Sequence, residues 1–474
     1  MSFIYLDYNA TTPIDPRVAE TMGPYLTGYF GNPSSTHVEG RKAKAALEEA
    51  RERVAGCLGC RPGEVVFTSG GSESNNLAIR GLVEARGGGH VVTSAVEHPA
   101  VLEVVRALEK AGRIDLSIVG VDPFGRVDPA AVGSALRDET VLVSLMLANN
   151  EVGTLQPVAE VASLCRERGA ALHTDAAQAV GKVPVDVAEL GVDLLSLAGH
   201  KIYAPKGIGA LYVRDGIEIA PQIRGAAHER GLRAGTENVL LAAGLGAACK
   251  LAAVEVDAEQ KHLAGLRDRL FGLFSEGFAG VAAHGDPAKR LPNTLSVAFP
   301  GIEASKLLLD LGDEVAASAG AACHSEGVSV SHVLEAMGVD ESTARSTVRL
   351  SVGRFTTEEE IDQAAEIILA RANSSRPLDP GSAHPPGCWI LDARSTHPAW
   401  AVGYELWAMS IALVQVSVSF TKAAERRQSL ARGASPGKNE PKSGKPQRGD
   451  RAGCIGIHHR LGEYRNCGAG WVCR

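Results

Sequence analysis

Short apolar runs alternate with amphipathic stretches between residues 64 and 213. Each run has the length of a buried strand, whereas the longer stretches carry apolar residues at helical spacing. The pattern predicts strands at 65–68, 91–94, 114–119, 141–147, 171–174, 194–197 and 210–213, and helices that include 73–84, 99–110 and 158–168. This alternation predicts an α/β fold with a large, mostly parallel seven-stranded sheet covered on both faces.

The pattern changes after about residue 250, where a smaller α+β domain is predicted. Its elements are a helix at 254–274, a strand at 294–299, a helix at 305–311, a small-residue segment at 316–322, a strand at 349–352 and a helix at 359–371. A capping box at Thr357–Glu360 opens the last helix. We therefore expect an N-terminal segment (1–15) that joins the small domain, a large α/β domain (16–250), a small domain (251–371) and a tail (372–474).

The tail differs from the rest of the chain in charge and composition. The tail carries a net charge of +7. Because the whole chain carries −7, the rest of the chain carries −14. Residues 374–381, rich in Ser, Pro and Gly, predict a linker. The Lys-, Gly-, Pro- and Ser-rich segment 431–450 favours disorder. The apolar stretch 406–420 has 15 residues, against about 20 for a membrane span, so membrane contact is not expected. The tail cysteines and histidines match no metal-ligand spacing, and no metal is predicted.

Overall composition is that of a globular protein, with 45% apolar and 22% charged residues. The net negative charge argues against direct nucleic-acid binding. The N-terminal sequence has neither a basic start nor an apolar run, so no signal peptide is predicted. The nine cysteines then indicate reduced thiols and a cytoplasmic location. Cys57 and Cys60 are expected to lie half-buried near a helix end, and Cys165 and Cys249 to serve packing.

Polar residues follow the predicted strands at the points where those strands end. Carboxyl ends of parallel strands meet at one edge of the sheet, which is where such folds bind ligands. A Gly-rich turn, 69–73, also leads into a helix there and suits a phosphate. The other groups are His98, Asn150, Asp175, Gln178 and Lys201. A lysine, an acid, a flat ring and a phosphate cradle are what pyridoxal phosphate (PLP) requires.

These residues lie in segments that resemble the NifS/IscS group of cysteine desulfurases. The resemblance runs from residue 2 to about 371 and implies the fold type I of PLP-dependent aminotransferases. The matching segments are YLDYNATTP (5–13), GNPSS (31–35), FTSGGSES (67–74), EH (97–98), NNEVG (149–153), HTDAAQ (173–178), GHKIYAPKG (199–207), ERGLRAGT (229–236), AACHS (321–325) and RLSVGRF (349–355).

The resemblance implies a role for each matching residue. Lys201 would attach PLP covalently and move a proton at the substrate, and Asp175 would pair with the ring nitrogen. His98 would stack on the ring and act as a catalytic acid or base, Asn150 would lie near ring and substrate, and Arg349 would bind the substrate carboxylate. The remaining cofactor contacts would be made by Gln178 at the ring oxygen and by Gly71, Ser72, His200 and, across a homodimer interface, Thr236 at the phosphate.

Cys323 is the sulfur acceptor that the resemblance implies. In that family a protein thiolate attacks the sulfur of L-cysteine, so that L-alanine and a protein persulfide form. The persulfide would then supply a sulfur-acceptor protein, either an iron–sulfur cluster scaffold or a tRNA thiolation enzyme. Small residues before Cys323 and Gly327 after it are typical of a mobile loop.

Some positions depart from the family pattern, and other interpretations stay open. Ala198 stands where many members have a serine, and Ser72 where threonine is common. The AACHS segment also resembles selenocysteine lyases. An inactive PLP-fold scaffold that binds partner proteins is a further alternative, against which intact Lys201 and Cys323 argue. The tail could tether the protein to a membrane or a nucleic acid, or be an aberrant extension.

Overall fold

The structure is a computed structural model that describes residues 3–319, 321–324 and 327–375 of the 474-residue chain. Side chains are described for residues 3–319 and 330–375. The strands in these ranges are β1 (Ile4–Tyr5), β2 (Val65–Thr68), β3 (Gly89–Ser94), β4 (Ile114–Val119), β5 (Thr140–Ser144), β6 (Ala171–Asp175), β7 (Leu194–Ala198), β8 (Gly209–Val213), β9 (Ala282–His284), β10 (Thr294–Ala298), β11 (Val315–Ala316), β12 (Ser318–Ala319), β13 (Ala321–His324), β14 (Gly327–Val330) and β15 (Thr347–Ser351).

The helices of the same ranges separate most of these strands. They are α1 (Pro16–Met22), α2 (Val38–Leu58), α3 (Gly71–Arg86), α4 (Pro99–Lys110), α5 (Pro129–Ala135), α6 (Val158–Arg168), α7 (Val187–Leu190), α8 (Val239–Gly277), α9 (Ala304–Leu311), α10 (His332–Ala336), α11 (Glu341–Arg345) and α12 (Glu358–Ser374). As the sequence predicted, helices connect the successive strands β2 to β7, and the polar residues noted above follow the ends of these strands.

A seven-stranded sheet forms the large half of the fold, as predicted. Its strand order is β2-β8-β7-β6-β5-β3-β4, and β8 is antiparallel to both neighbours while the remaining pairs are parallel. Both faces are buried. Along β2, Val65 and Phe67 pack into the core on one face and Val66 into the core on the other. Strands buried on both faces appear in the sequence as continuous apolar runs, which is why they were predictable.

The apolar run at 141–147 illustrates where burial and strand pairing differ. Strand β5 ends at Ser144, although Leu145, Met146 and Leu147 remain buried. The amides of Leu145 and Leu147 still donate to carbonyl oxygens of His173 and Asp175, at 3.0 and 2.9 Å. The apolar pattern therefore predicted the buried segment correctly but placed the end of the strand three residues too late.

The second sheet is antiparallel, four-stranded and ordered β12-β15-β10-β9. Its core also contains side chains of α8, α9 and α12, among them Phe271, Leu307 and Ile361. The N-terminal segment contributes to the same core through Ile4 and Leu6, since β1 pairs in parallel with β11. The chain then passes from this sheet toward the large one, which brings residues 7–12 beside the carboxyl ends of the large sheet's strands.

Two helices extend past the predicted domain boundaries. Helix α8 begins at Val239 rather than at residue 254 and continues through position 250, so no break in the backbone separates the predicted domains there. Its first part is rich in Ala and Gly and mostly buried, and a Cβ on Gly246 would lie 2.8 Å from the Cα of Ala50. Such a segment lacks the polar face that reveals a helix in the sequence.

The last helix also passes the predicted boundary at residue 372. Helix α12 ends at Ser374, and Ala372 is fully buried. Among the described helices, α8 alone is long and apolar enough to cross a membrane, with a mean hydropathy of 1.8 over its most apolar window, 56% of which is buried inside the protein. The apolar tail segment 406–420 lies outside the described residues.

The described cysteines occupy the kinds of position expected for them. Cys165 on α6 and Cys249 on α8 are buried in the core of the large sheet, which confirms their packing role. Cys57 and Cys60 are half-buried at the end of α2 and just beyond it, also as predicted. Burial and nearby carboxylates raise the pKa of Cys60 to about 12, so its thiol is protonated at neutral pH.

A buried ion pair fixes helix α2 to strand β2 and to the loop before α8. Both terminal nitrogens of Arg51 donate to Glu229, each at 2.8 Å, and the two side chains are 5% and 2% exposed. Arg51 also donates to the carbonyl of Val65 at 2.9 Å, and Glu229 accepts from the amide of Phe67 at 2.9 Å. Removal of Arg51 would leave a buried carboxylate without its counter-charge.

We therefore expect Arg51→Met to lower the free energy of unfolding by about 3–5 kcal/mol, because breaking a buried ion pair leaves one charge buried without a partner. Urea unfolding of the apo-protein measures the loss. The matched control is Arg53→Met, which removes a partly exposed pair with Glu49 on the same helix and should cost less than about 1 kcal/mol. Equal losses for the two variants would contradict the role of burial.

Candidate active site

The carboxyl edge of the large sheet gathers the residues that the sequence placed at strand ends. Asp175 ends β6, and Lys201 closes a 3-10 turn, Gly199–Lys201, that follows β7 directly. Asn150 follows β5, and His98 follows β3 as the N-cap of α4. Helix α3 starts at the same edge, after β2, with Gly71 as its first residue.

The start of α3 has the properties of a phosphate site. The first amides of a helix have no partner within it, and the helix dipole is positive at this end. A Cβ added to Gly71 would lie 3.2 Å from the Cβ of Ala198, so glycine keeps the space above the turn open. Ser72 is exposed beside it. The departures from the family pattern at Ala198 and Ser72 therefore leave the backbone cradle intact.

His200 lies next to Lys201 and is half-buried. Its Nδ1 is 3.2 Å from the hydroxyl of Thr11. Burial, together with the positive charge of Lys201, lowers the pKa of His200 to about 4. The ring is therefore neutral at physiological pH and can offer one N–H to an anion.

Asp175 is buried and is held by two hydrogen bonds. Its Oδ2 accepts from Nδ2 of Asn75 at 2.6 Å, and its Oδ1 accepts from the amide of Ala177 at 2.9 Å. Among the described residues, the buried Oδ1 of Asn75 has no hydrogen-bond partner. A carboxylate oriented in this way, with no cation paired to it in the described part of the chain, suits a protonated ring nitrogen.

Lys201 points its amine at the N-terminal segment. Its Nζ donates to the carbonyl oxygens of Asn9 and Ala10, the latter at 2.9 Å. Burial and the positive charge of Arg349 lower the pKa of Lys201 to about 8, although Asp7 and Asp175 oppose the shift. An amine with this pKa is partly neutral near physiological pH, which is what attack on an aldehyde requires.

His98 presents an exposed ring at the same edge. Its Nδ1 accepts from the amide of Ala100 at 3.0 Å, which fixes the ring's orientation. Partial desolvation by the surrounding protein lowers the pKa of His98. The preceding Glu97 is fully buried, and burial raises the pKa of Glu97 to about 8. Its Oε1 accepts from Ser94 at 2.7 Å and so braces the turn that carries His98.

Gln178 makes contacts that the sequence did not predict. Its Nε2 donates to the carbonyl of Asn9 at 2.9 Å, and its Oε1 accepts from the amine of Lys182 at 2.7 Å. A primary amide has two N–H donors, so one remains for another acceptor. The expected contact with a ring oxygen is compatible with this arrangement and stays a prediction.

Arg349 on β15 brings the small sheet into the site. Its Nη2 donates to Asp7 at 2.8 Å and to Ser318 at 2.9 Å, and its Nη1 donates to the carbonyl of Asn150 at 3.2 Å. Its buried Nε has no hydrogen-bond partner among the described residues. The guanidinium is thus held in place by protein groups, with donor capacity left for a carboxylate.

Two predicted residues are not brought to this cluster by described contacts. Thr236 is exposed in the loop before α8. Cys323 lies on β13, where its backbone pairs with Val328 of β14, but its side chain lies outside the described residues. The roles of both residues stay predictions.

Sequence reasoning missed three residues that organise the site. Asp7 and Asn9 lie in the 5–13 motif, which was used for the resemblance but not for chemistry. Lys182 was overlooked, although a lone lysine in the largely apolar run 176–185 was a usable signal. All three act through hydrogen bonds to residues far away in the chain, which no local pattern reveals.

The residues present fit PLP, and comparisons with known proteins agree. Residues 4–364 match the family model "Aminotransferase class-V". A cysteine desulfurase IscS of Rickettsia bellii is 44% identical over 382 residues, which are 80% of this chain and 93% of that protein. The IscS of Dictyoglomus turgidum is 44% identical over 380 residues, 80% of this chain and 96% of that protein. A solved NifS-like protein superimposes with a TM-score of 0.74 at 37% identity, over 79% of this chain and all of that one.

The chain therefore belongs to the PLP-dependent class-V aminotransferase family, within its IscS- and NifS-like members. The predicted fold and family are thereby confirmed.

The lowered pKa of Lys201, caused mainly by burial, predicts when its amine reacts. In the apo-protein, acetylation of Lys201 by acetic anhydride should rise with pH to half its maximum near pH 8, because only the neutral amine reacts. An ordinary lysine would reach this point near pH 10.4. Mass spectrometry of the modified peptide gives the midpoint. Asp175→Asn should move it lower, because the Asp175 charge favours the ammonium. A midpoint near 10 would contradict the proposed environment.

Proposed function

We propose that this protein is a PLP-dependent cysteine desulfurase that converts L-cysteine to L-alanine and takes the sulfur on Cys323 as a persulfide. The observation that carries the proposal is the convergence of Lys201, Asp175 and the Gly-rich start of α3 at one sheet edge. The chain that carries them is 44% identical to proteins named cysteine desulfurase, over nearly their whole length.

The cofactor would be held by groups that the structure places at this edge. When bound, PLP would withdraw electrons from the substrate through a ring nitrogen kept protonated by Asp175. Its aldehyde carbon would be held by Lys201 and its ring face by His98. The other contacts would come from Gln178 at the ring oxygen and from Gly71, Ser72, His200 and Thr236 of a second copy at the phosphate.

The chain's own residues would bind the substrate and move its protons. Arg349 would bind the substrate carboxylate through the N–H groups that protein acceptors leave available, and Asn150 would lie beside it. Lys201, with its lowered pKa due to burial, would remove the proton at the substrate Cα and return one to the product. The Cys323 thiolate would form an S–S bond to the substrate sulfur as the substrate C–S bond breaks.

The proposal extends to the sulfur acceptor, the assembly and the location of the protein. The persulfide sulfur would pass to an iron–sulfur cluster scaffold or a tRNA thiolation enzyme, since relatives carry the IscS name. A homodimer, as the family resemblance implies, would bring the exposed Thr236 of one copy to the phosphate of the other. A cytoplasmic location is supported by the free thiols among the described cysteines.

The first test is alanine production from L-cysteine by the PLP-loaded protein with a reductant present. We expect turnover that falls by at least a hundredfold in Cys323→Ala, because the sulfur acceptor is lost. Cys165→Ala, a buried thiol in the core of the large sheet, is the matched control and should stay active. Turnover confined to L-selenocysteine would instead make the protein a selenocysteine lyase. PLP binding without turnover of either amino acid would support the scaffold alternative.

A second test concerns the tail. The family match ends at residue 364 and helix α12 at Ser374, so the described fold contains the complete match. A chain that ends at Ser375 should therefore bind PLP and produce alanine at a rate within about twofold of the full chain, which a coupled alanine assay measures. Truncation before Ala372 should impair folding, because Ala372 is buried. Loss of turnover in the chain that ends at Ser375 would assign the tail a catalytic role.

A further inference from the structure

Lys182 is a buried amine that the proposed chemistry does not use. It lies in the turn after β6, four residues beyond Gln178, and is 6% exposed. Its Nζ donates to Oε1 of Gln178 at 2.7 Å and to Oδ1 of Asn9 at 3.3 Å. Both of these partners are neutral amide oxygens, so the amine is not held by an ion pair with either.

An amine in this setting is costly to the fold. Burial of an ammonium group without a paired carboxylate is strongly unfavourable. Burial and the positive charge of Lys201 accordingly lower the pKa of Lys182 to about 7. Methionine or leucine would fill a similar volume without this cost, so packing alone does not account for a lysine here.

The hydrogen bonds of Lys182 determine which way the Gln178 amide faces. An ammonium group only donates and an amide oxygen only accepts, so Oε1 faces the ammonium of Lys182 and Nε2 faces away from it. Nε2 then reaches the carbonyl of Asn9, at 2.9 Å. The same carbonyl accepts from Nζ of Lys201. Lys182 therefore contacts Asn9, whose carbonyl accepts from the cofactor-binding amine, and Gln178, which donates to that same carbonyl.

We propose that Lys182 is a positioning residue that fixes the Gln178 amide so that an N–H, rather than the carbonyl oxygen, is presented to the cofactor. The ammonium form enforces this orientation because it cannot accept a hydrogen bond, and the neutral amine can still donate the same two hydrogen bonds. The inference rests on the proposed function only in that PLP binds at this edge.

The test is a pH titration of the absorbance of bound PLP in the holoenzyme. Lys182→Met should raise the midpoint of the cofactor's pH-dependent band by about one unit, because a lost N–H donor no longer stabilises the ring oxygen as an anion. Dissociation of PLP, followed by dialysis and fluorescence, should become about tenfold faster for the same reason. Lys250→Met, at an exposed lysine of α8, is the matched control and should leave both values unchanged.

A double-mutant cycle separates positioning from the charge of Lys182. Gln178→Leu alone should raise the midpoint, and adding Lys182→Met should then change it little, because the amide to be oriented is gone. If the two substitutions shift the midpoint additively, the proposal is overturned, and a direct electrostatic effect of Lys182 on the cofactor explains the shift. A wild-type midpoint in Lys182→Met would also overturn it.

Stability provides the check on folding. Lys182→Met should keep a single cooperative urea transition, because removal of a buried ammonium offsets the loss of a donor to the Gln178 and Asn9 oxygens. If that variant does not fold, Lys182→Gln, which keeps an N–H donor, takes its place and should stay nearer the wild-type midpoint than Lys182→Leu. Equal midpoints for those two variants would overturn the proposal. Alanine production by the wild type is measured separately, so failure of the desulfurase assignment is distinguishable from failure of this inference.

Discussion

Asn9 is buried where the N-terminal segment passes from the small sheet to the large one, and its polar groups are hydrogen-bonded. Its amide donates to Ser351 at 2.9 Å and its side chain to Thr294 at 2.8 Å, both in the small sheet. Its carbonyl accepts from Gln178 and Lys201 of the large half. A buried amide that loses a partner is costly, so this one residue fixes the small sheet against the cofactor edge.

The charges around this junction match the ligands of the proposed reaction. Lys182, Lys201 and Arg349 lie within one partly buried region, and the pKa of each lysine is lowered by burial together with the positive charge of its neighbours. Asp7 and Asp175 offset them only in part. Cationic groups in this region suit a phosphate and a substrate carboxylate, and the low dielectric strengthens that attraction. Burial, together with the charge of Arg349, keeps the Lys201 amine reactive.

The sequence predicted the large sheet well and the small half less completely. Strands buried on both faces are continuous apolar runs, and those at 65–68 and 114–119 were predicted with their observed bounds. The short strand Ala282–His284 was not predicted, because three residues carry too little pattern. The start of α8 was missed because its Ala- and Gly-rich turns are buried on nearly all sides.

By itself, the sequence determined the fold class, the family and the chemically distinctive residues, because strand ends and motifs are local patterns. Tertiary structure alone decided how those residues are oriented. Asp175 is fixed by Asn75, which is 100 residues away, and Asn9 meets Lys182 across 173 residues. Such pairs arise from packing between distant elements, and hydrogen-bond geometry, unlike hydrophobic periodicity, leaves no trace in the spacing of residues along the chain.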